Sequence, residues 1–108
     1  MATTYTIQEG EVRNVAVDFR SVLDTDESLV DDAGLTVTTT TGLTIASEAV
    51  NTTTIPINGQ DVPAGKAITF SATGVTGSET PYTIEIQCDT DATPAQTIIE
   101  RVTMTVEA

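Results

Sequence analysis

The chain of 108 residues contains no histidine, no tryptophan and a single cysteine, Cys88. Without histidine there is no imidazole base, no Ser-His-Asp triad, no Cys-His pair and no ordinary zinc site. One cysteine excludes an internal disulfide and any metal site built on several cysteines. These absences argue against an enzyme. We interpret Cys88 as a buried, inert thiol, because it lies in phase with Ile84 and Ile86.

Basic residues are also scarce. Four lysines and arginines stand against 16 acidic residues, which gives a formal net charge of -12. This balance argues against binding nucleic acids through their phosphates and disfavours an anionic membrane surface. No apolar run approaches the roughly 20 residues that cross a bilayer, and the first residues show no basic stretch followed by an apolar one. We therefore expect synthesis in a cytoplasm without export by a visible signal.

Aromatic residues make up only 4% of the chain and hydrophobic residues 39%, so the expected core is aliphatic and thin. Threonine is the most frequent residue, and with valine and isoleucine it makes β-branched side chains dominant. Such side chains fit the pleated surface of a sheet. High charge with few aromatics is also typical of disorder, but the apolar residues are in phase, which favours an ordered chain.

Apolar and polar residues alternate along several stretches. The clearest is 82–88, where alternate residues face inward, and a second runs from Val12 to Arg20. In the last stretch, 98–106, Glu100 falls in the inward phase, which predicts a bulge near residues 98 and 99. About seven or eight strands at spacings of 8 to 12 residues, with no helical window, predict an all-β fold, an antiparallel β-sandwich.

Turn residues divide these stretches. The alternation around Gly42 fits either two strands or one strand bent at the glycine. Pro56 limits its strand to a sheet edge or a bulge, and Asn58 with Gly59 predicts a tight turn. Residues 1–10 form a predicted N-terminal arm or edge strand, and residues 11–108 form one β-sandwich domain. No second domain is visible.

The arm is the first candidate for contact with a partner. Its residues Tyr5, Thr6 and Ile7 alternate ahead of a turn, so we expect it to add a strand to a neighbouring subunit. Deleting residues 1–8 should then abolish attachment and leave the monomer folded. The remaining contact candidates lie in the insert described below: Val50, Ile55 and Ile57.

The stretch 24–34 concentrates carboxylates around Leu29 and Val30, which either pin a loop to the core or begin a strand. Its metal candidates, with hard oxygens suited to Ca²⁺, are Asp24, Asp26, Asp31 and Asp32. Ser28 and Leu29 stand where an EF-hand requires a third ligand and a glycine, so the prediction is no metal and no cofactor.

Several stretches resemble a family of small Ig-like virion proteins of tailed bacteriophages, of the fibre-tail adaptor or decoration type. The matching segments cover roughly Val15 to Val106 and are Val17-Asp18-Phe19, Val22-Leu23, Glu27-Ser28-Leu29, Gly42-Leu43-Thr44-Ile45, Ile68-Thr69-Phe70-Ser71 with Gly74 and Gly77, Tyr82-Thr83-Ile84, and residues 100–106. The chain departs from the family at Phe19 and Val22, which replace a tryptophan and a second aromatic. An insert from Glu48 to Lys66 has no counterpart.

The resemblance implies a single Ig-like sandwich and a non-enzymatic building block of a virion. We expect a capsid decoration protein on the virion exterior, with the major capsid protein as its partner in a symmetric, multi-copy or homo-oligomeric assembly. A tail, neck or fibre-tail adaptor, with tail or neck proteins of the same phage as its partners, is the alternative. An Ig-like carbohydrate- or calcium-binding adhesion module is the third hypothesis. No nucleic acid and no membrane partner is expected.

Overall fold

The computed structural model describes residues 4–32, 34–39, 43–74 and 81–107. Within them the one helical element is a 3₁₀ turn at Arg20–Val22. The strands are β1 (Thr4–Gln8), β2 (Val12–Asp18), β3 (Leu29–Val30), β4 (Thr36–Thr39), β5 (Leu43–Val50), β6 (Ile55–Ile57), β7 (Gln60–Val62), β8 (Ala67–Gly74), β9 (Tyr82–Thr90) and β10 (Thr97–Glu107). The all-β class predicted from the sequence is confirmed.

The expected count of seven or eight strands is wrong, because the described residues form ten. β3 has two residues, and the stretch around Pro56 forms two strands of three residues each. Elements this short contain too few residues to display a period of two. Gly42, where the alternation is interrupted, Gly77 of the resembling segment, and residues 1–3 of the arm lie outside the described residues.

The strands form two curled sheets and a separate hairpin. In the larger sheet β1 pairs with β10, β10 with β9, and β9 with both β3 and β4. The smaller sheet has the order β2-β8-β5, and β6 pairs with β7. One pairing departs from the antiparallel expectation: β1 runs parallel to β10, with Thr4 opposite Thr103. The other pairings in the described part are antiparallel.

Buried side chains from both sheets form one apolar core. β8 and β9 supply the regular part of it, because their alternate residues point inward. The side chains with no exposed surface include Phe19, Ile68, Ala72, Ile84, Ile86, Cys88 and Met104. The inward phase predicted for residues 82–88 is confirmed, and so is the burial of Cys88.

The predicted bulge near residues 98 and 99 is wrong. β10 pairs with β9 in one unbroken register from Thr97 opposite Asp89 to Met104 opposite Tyr82. Glu100 keeps the inward phase but remains partly exposed, so the sheet accommodates it without a shift. The register shift in the smaller sheet lies instead in β5, between Ala46 and Ala49.

Gly10 and Gly74 bring β1 and the smaller sheet into close contact. Gly10 has a φ of 81° and donates its N–H to the Gly74 carbonyl oxygen at 2.7 Å. A Cβ at Gly74 would lie 2.7 Å from the carbonyl oxygen of Gln8 and 3.3 Å from Cδ1 of Ile7. Glycine is therefore required where the chain passes from one sheet to the other.

The segment between β5 and β8 is organised by one buried amide, Asn51. Its Nδ2 donates to the carbonyl oxygens of Thr53 at 3.0 Å and Pro63 at 2.9 Å. Its Oδ1 accepts the N–H groups of Lys66 at 3.2 Å and Ala67 at 3.0 Å. Asn51 thus fixes both ends of the β6–β7 hairpin. The predicted turn at that hairpin's tip is confirmed, since residues 58 and 59 both have positive φ.

Candidate functional site

The acidic segment begins with a tight turn closed by reciprocal hydrogen bonds. The N–H of Glu27 donates to the carbonyl oxygen of Asp24 at 3.0 Å, and the N–H of Asp24 donates to Oε1 of Glu27 at 3.1 Å. Glu27 is only 6% exposed, and its Oε2 has no hydrogen-bond partner. The turn is therefore shaped by a carboxylate whose second oxygen is buried and unsatisfied.

A second loop joins this turn. The backbone N–H of Ser28 donates to Oδ1 of Asp91 at 2.8 Å, and the N–H of Asp91 donates to the Ser28 carbonyl oxygen at 2.9 Å. Between the two loops lies an open pocket of about 330 Å³, lined by Asp24, Thr25, Asp26, Glu27, Asp91 and Ala92. Four carboxylate residues thus border one concave surface.

Lys66 supports the turn through its backbone. Its ammonium group donates to the carbonyl oxygens of Thr25, at 3.3 Å, and Glu27. The bond to Thr25 is exposed and the bond to Glu27 is partly buried, and within the described part of the chain Lys66 makes no ion pair with a carboxylate. The lysine therefore organises the loop backbone.

The four metal candidates divide between two places. Asp24 and Asp26 border the pocket, whereas Asp31 accepts the N–H of Val50 at 3.1 Å and Asp32 accepts the N–H of Gly34 at 2.8 Å. The structure does not bring all four together. Among the residues it describes, no group of three or more histidine, cysteine, aspartate or glutamate side chains has an arrangement that could hold a metal ion.

The candidate partner-contact residues also divide. Thr6 is exposed, whereas Ile7 and Val50 lie in the apolar core and present no side chain at the surface. Ile55 and Ile57 are half-buried on β6. Residues 4–8 pair with the chain's own β10, so this part of the arm is an outer strand of the larger sheet.

A slot opens between β1 and β2, where the edges of the two sheets meet. It has a volume of about 210 Å³ and is lined by Tyr5, Thr6, Ile7, Arg13, Asn14, Val15 and Met104. The hydroxyl of Tyr5 donates across it to the Ala16 carbonyl oxygen at 3.3 Å. Partial burial raises the pKa of Tyr5, which keeps this hydroxyl protonated as a donor.

Arg20 connects the end of β2 to the β6–β7 hairpin. Its guanidinium group binds both carboxylate oxygens of Asp18, the closest contact being 2.7 Å, and donates to Oε1 of Gln60 at 2.8 Å. Hydrogen bonds from Arg20 hold the pKa of Asp18 below its ordinary value. Burial raises the pKa of the Cys88 thiol, which disfavours the reactive thiolate.

Comparisons with family models, curated proteins and solved structures gave no match to this chain. The described residues contain no helix long and apolar enough to cross a membrane.

Two functional features were missed in the sequence. One is the link between Asp91 and the acidic turn. The other is the role of Asn51, whose only sequence signal is its position directly after an alternating stretch.

Proposed function

We propose that this chain is a non-enzymatic structural protein of a tailed-bacteriophage virion, bound to the capsid exterior as a decoration protein. The observation that carries the proposal is the sequence resemblance over residues 15–106. The packing is compatible with it, because Phe19, Phe70 and Tyr82 from three of the resembling stretches meet in one core. The proposed partner is the major capsid protein, and the proposed location is the virion.

The proposal includes an Ig-like sandwich, and the order of the strands supports that part. In immunoglobulin domains the strands C, F and G form one sheet and A, B, E and D the other. Here β4, β9 and β10 share the larger sheet, while β2, β8 and β5 share the smaller one. Taken along the chain, β2, β4, β5, β8, β9 and β10 therefore correspond to strands B, C, D, E, F and G.

Physical properties of the chain suit such a role. A net charge of -12 keeps a free subunit soluble until it meets its partner. The core needs no disulfide, so the subunit can fold in a reducing cytoplasm. A protein added in many copies to a preformed shell must satisfy both conditions.

Two other functions make different predictions. A tail, neck or fibre adaptor is favoured by the same resemblance, and it would be present in about three to twelve copies set by ring symmetry. A calcium-binding adhesion module would have to use the carboxylate residues that border the acidic pocket, although no group of three or more among the described residues is arranged to hold a metal ion. Calcium should then raise the melting temperature, because a ligand that binds only the folded state stabilises it.

The deciding experiment is the copy number of the polypeptide in purified virions of its source phage, by quantitative mass spectrometry against the major capsid protein. One copy per capsid subunit, or one per three, is the result expected for a decoration protein. A few copies per virion would instead favour the tail, neck or fibre adaptor. Absence from the particles would overturn the virion proposal.

A further inference from the structure

β2 is an outer strand of the smaller sheet. The hydrogen bonds at its two ends show which of its N–H and C=O groups point toward β8. At one end the N–H of Gly74 donates to the Glu11 carbonyl oxygen at 3.1 Å. At the other end the N–H of Phe19 donates to the Lys66 carbonyl oxygen at 2.9 Å. The register between these points is unbroken. In an antiparallel pair, hydrogen-bonded and non-bonded positions alternate, so the odd-numbered residues of β2 bond to β8.

The even-numbered residues Val12, Asn14 and Ala16 therefore direct their N–H and C=O groups away from β8. The bond from the Tyr5 hydroxyl to the Ala16 carbonyl oxygen agrees with this phase, since that oxygen faces the slot. A carbonyl oxygen has two lone pairs and can accept a second donor beside Tyr5. Backbone groups of this kind form a template for another strand.

Two other outer strands, β5 and β3, are bulged or short. β5 has a register shift between Ala46 and Ala49, with Ser47 at a φ of 60° and the exposed Glu48 inside it. β3 is two residues long. β2 has seven residues without proline, glycine or a bulge, and its first carboxylate is the last residue, Asp18. Natural proteins commonly protect free edges by short strands, bulges or charges; β2 is neither short nor bulged, and Arg13 is the one charged side chain before its last residue.

We propose that β2 is a self-docking edge, at which two copies of this chain pair antiparallel about a two-fold axis through Asn14. The two smaller sheets then form one sheet of six strands. In this register Val12 lies opposite Ala16 of the second copy. The two Asn14 side chains lie opposite each other.

Size and charge favour a second copy as the occupant. Val12 is a large apolar residue that is 60% exposed, and the small Ala16 of the other copy leaves room to cover it. Residues 12–17 include one charged side chain, Arg13, whose Nε lies 2.6 Å from Oε2 of Glu11. The seam is therefore locally neutral on a chain of net charge -12, so two copies can approach there without opposing carboxylates.

The strength of this contact follows from its size. One strand pair buries less than the roughly 1,200–2,000 Å² of a standard stable interface, so the free protein should dimerise weakly and in proportion to its concentration. Copies held side by side on a common surface would have a high effective concentration, and the same edge would then join them. The proposal does not depend on what that surface is.

The test is sedimentation velocity from about 10 µM to about 1 mM protein, spanning weak dissociation constants, at about 0.15 M salt to screen the net charge. Wild-type protein should shift from monomer toward dimer. Asn14→Asp places two carboxylates opposite each other and should weaken association at least about tenfold. Thr44→Asp is the matched control, because it adds the same charge to an exposed position on the opposite edge, β5. Circular dichroism confirms that each variant is folded.

A charge-pair experiment makes the test specific. Asn14→Asp and Asn14→Lys should each be weakened alone, and their equimolar mixture should associate again, because opposite charges then meet at the axis. The proposal is overturned if wild-type protein stays monomeric at the highest concentration, if Thr44→Asp weakens association as much as Asn14→Asp, or if the mixture does not recover. None of these results bears on the copy number in virions.

Discussion

The sheets and the β6–β7 hairpin are held together in different ways. In the sheets, β8 and β9 bury alternate apolar side chains, and each of these side chains packs against several others in the core. The hairpin has little apolar burial, apart from Val62, and depends on hydrogen bonds from Asn51 and Arg20. Apolar contact is non-directional, whereas each hydrogen bond has a fixed geometry and partner. The sheets therefore tolerate small changes, and the hairpin depends on single atoms.

The largest expected effect is on the sheets. Ile84→Ala removes a side chain with no exposed surface and should lower the free energy of unfolding by about 4 kcal/mol. Urea denaturation measures it, and hydrogen exchange should accelerate across both sheets. Thr83→Ala, at the exposed neighbouring position, is the control and should cost about 0.5 kcal/mol. A loss below about 1 kcal/mol for Ile84→Ala would contradict a core packed at this point.

The next effect is on the hairpin. Asn51→Ala removes the acceptor of the buried Ala67 N–H and leaves the Lys66 N–H with the Pro63 carbonyl oxygen at 3.3 Å, so we expect a loss of about 3 kcal/mol. Hydrogen exchange of these two amides should accelerate more than that of the β9 amides. This result would distinguish the stability of the hairpin from that of the sheets. Thr52→Ala, at an exposed neighbour, should change little. Uniform acceleration in both parts would contradict the distinction.

A third change acts where β1 meets the end of β8. Gly74→Ala brings a Cβ within 2.7 Å of the Gln8 carbonyl oxygen, and that backbone atom cannot move as a flexible side chain can. We expect a loss of about 2 kcal/mol by urea denaturation. Faster exchange at Ile7 and Glu9 should accompany it. Thr73→Ala is the control on the same strand, and equal stability of the two variants would disprove the close contact.

The smallest effect concerns pH and the link from β2 to the hairpin. Arg20 lowers the pKa of Asp18, so this carboxylate stabilises the fold above its ordinary pKa of 3.8, and the contribution is lost as pH falls through the lowered value. Because both side chains are partly exposed, the contribution at neutral pH should be about 0.5 kcal/mol. Wild type and Asp18→Asn should be compared between about pH 7 and pH 2.

The difference in the free energy of unfolding between wild type and Asp18→Asn at each pH excludes the effect of the other carboxylates. Those carboxylates lose their mutual repulsion in both proteins as they are protonated. The expected difference is largest at neutral pH and disappears at the acidic end. A difference that grows toward low pH would show that Asp18 is destabilising in the folded state.

The parts of the fold predicted from the sequence are those in which neighbouring residues carry the information. The phase of residues 82–88 follows from strict alternation, and the turn at residue 59 follows from its glycine. β3 was not predictable in this way, because two residues are too few to show the alternation of a strand. Glu100 suggested a bulge because periodicity treats an inward glutamate as buried, whereas in the regular ladder of β10 it remains partly exposed. The sequence alone therefore overestimated the penalty at that position.

The candidate site was less predictable because it is assembled from distant segments. Asp24 and Asp26 were recognised as neighbours in an acidic loop, but Asp91 reaches the same turn only through the pairing of β3 with β9. Asn51 has no motif, since its function depends on which carbonyl oxygens the folded chain brings to it. Val50 was a contact candidate because it lies in the insert, where loops commonly carry interactions, yet it is buried in the core.

The parallel pairing of β1 with β10 has a consequence for the order in which the molecule is assembled. Gln8 and Glu107 meet although they are 99 residues apart in sequence. A ribosome releases β1 long before it has made β10, so β1 must wait for its partner strand. During that interval Ile7 and its partner Val106 have no cover from each other. Closure of the larger sheet is therefore a late event in biosynthesis, and contacts of such long range are slow to form.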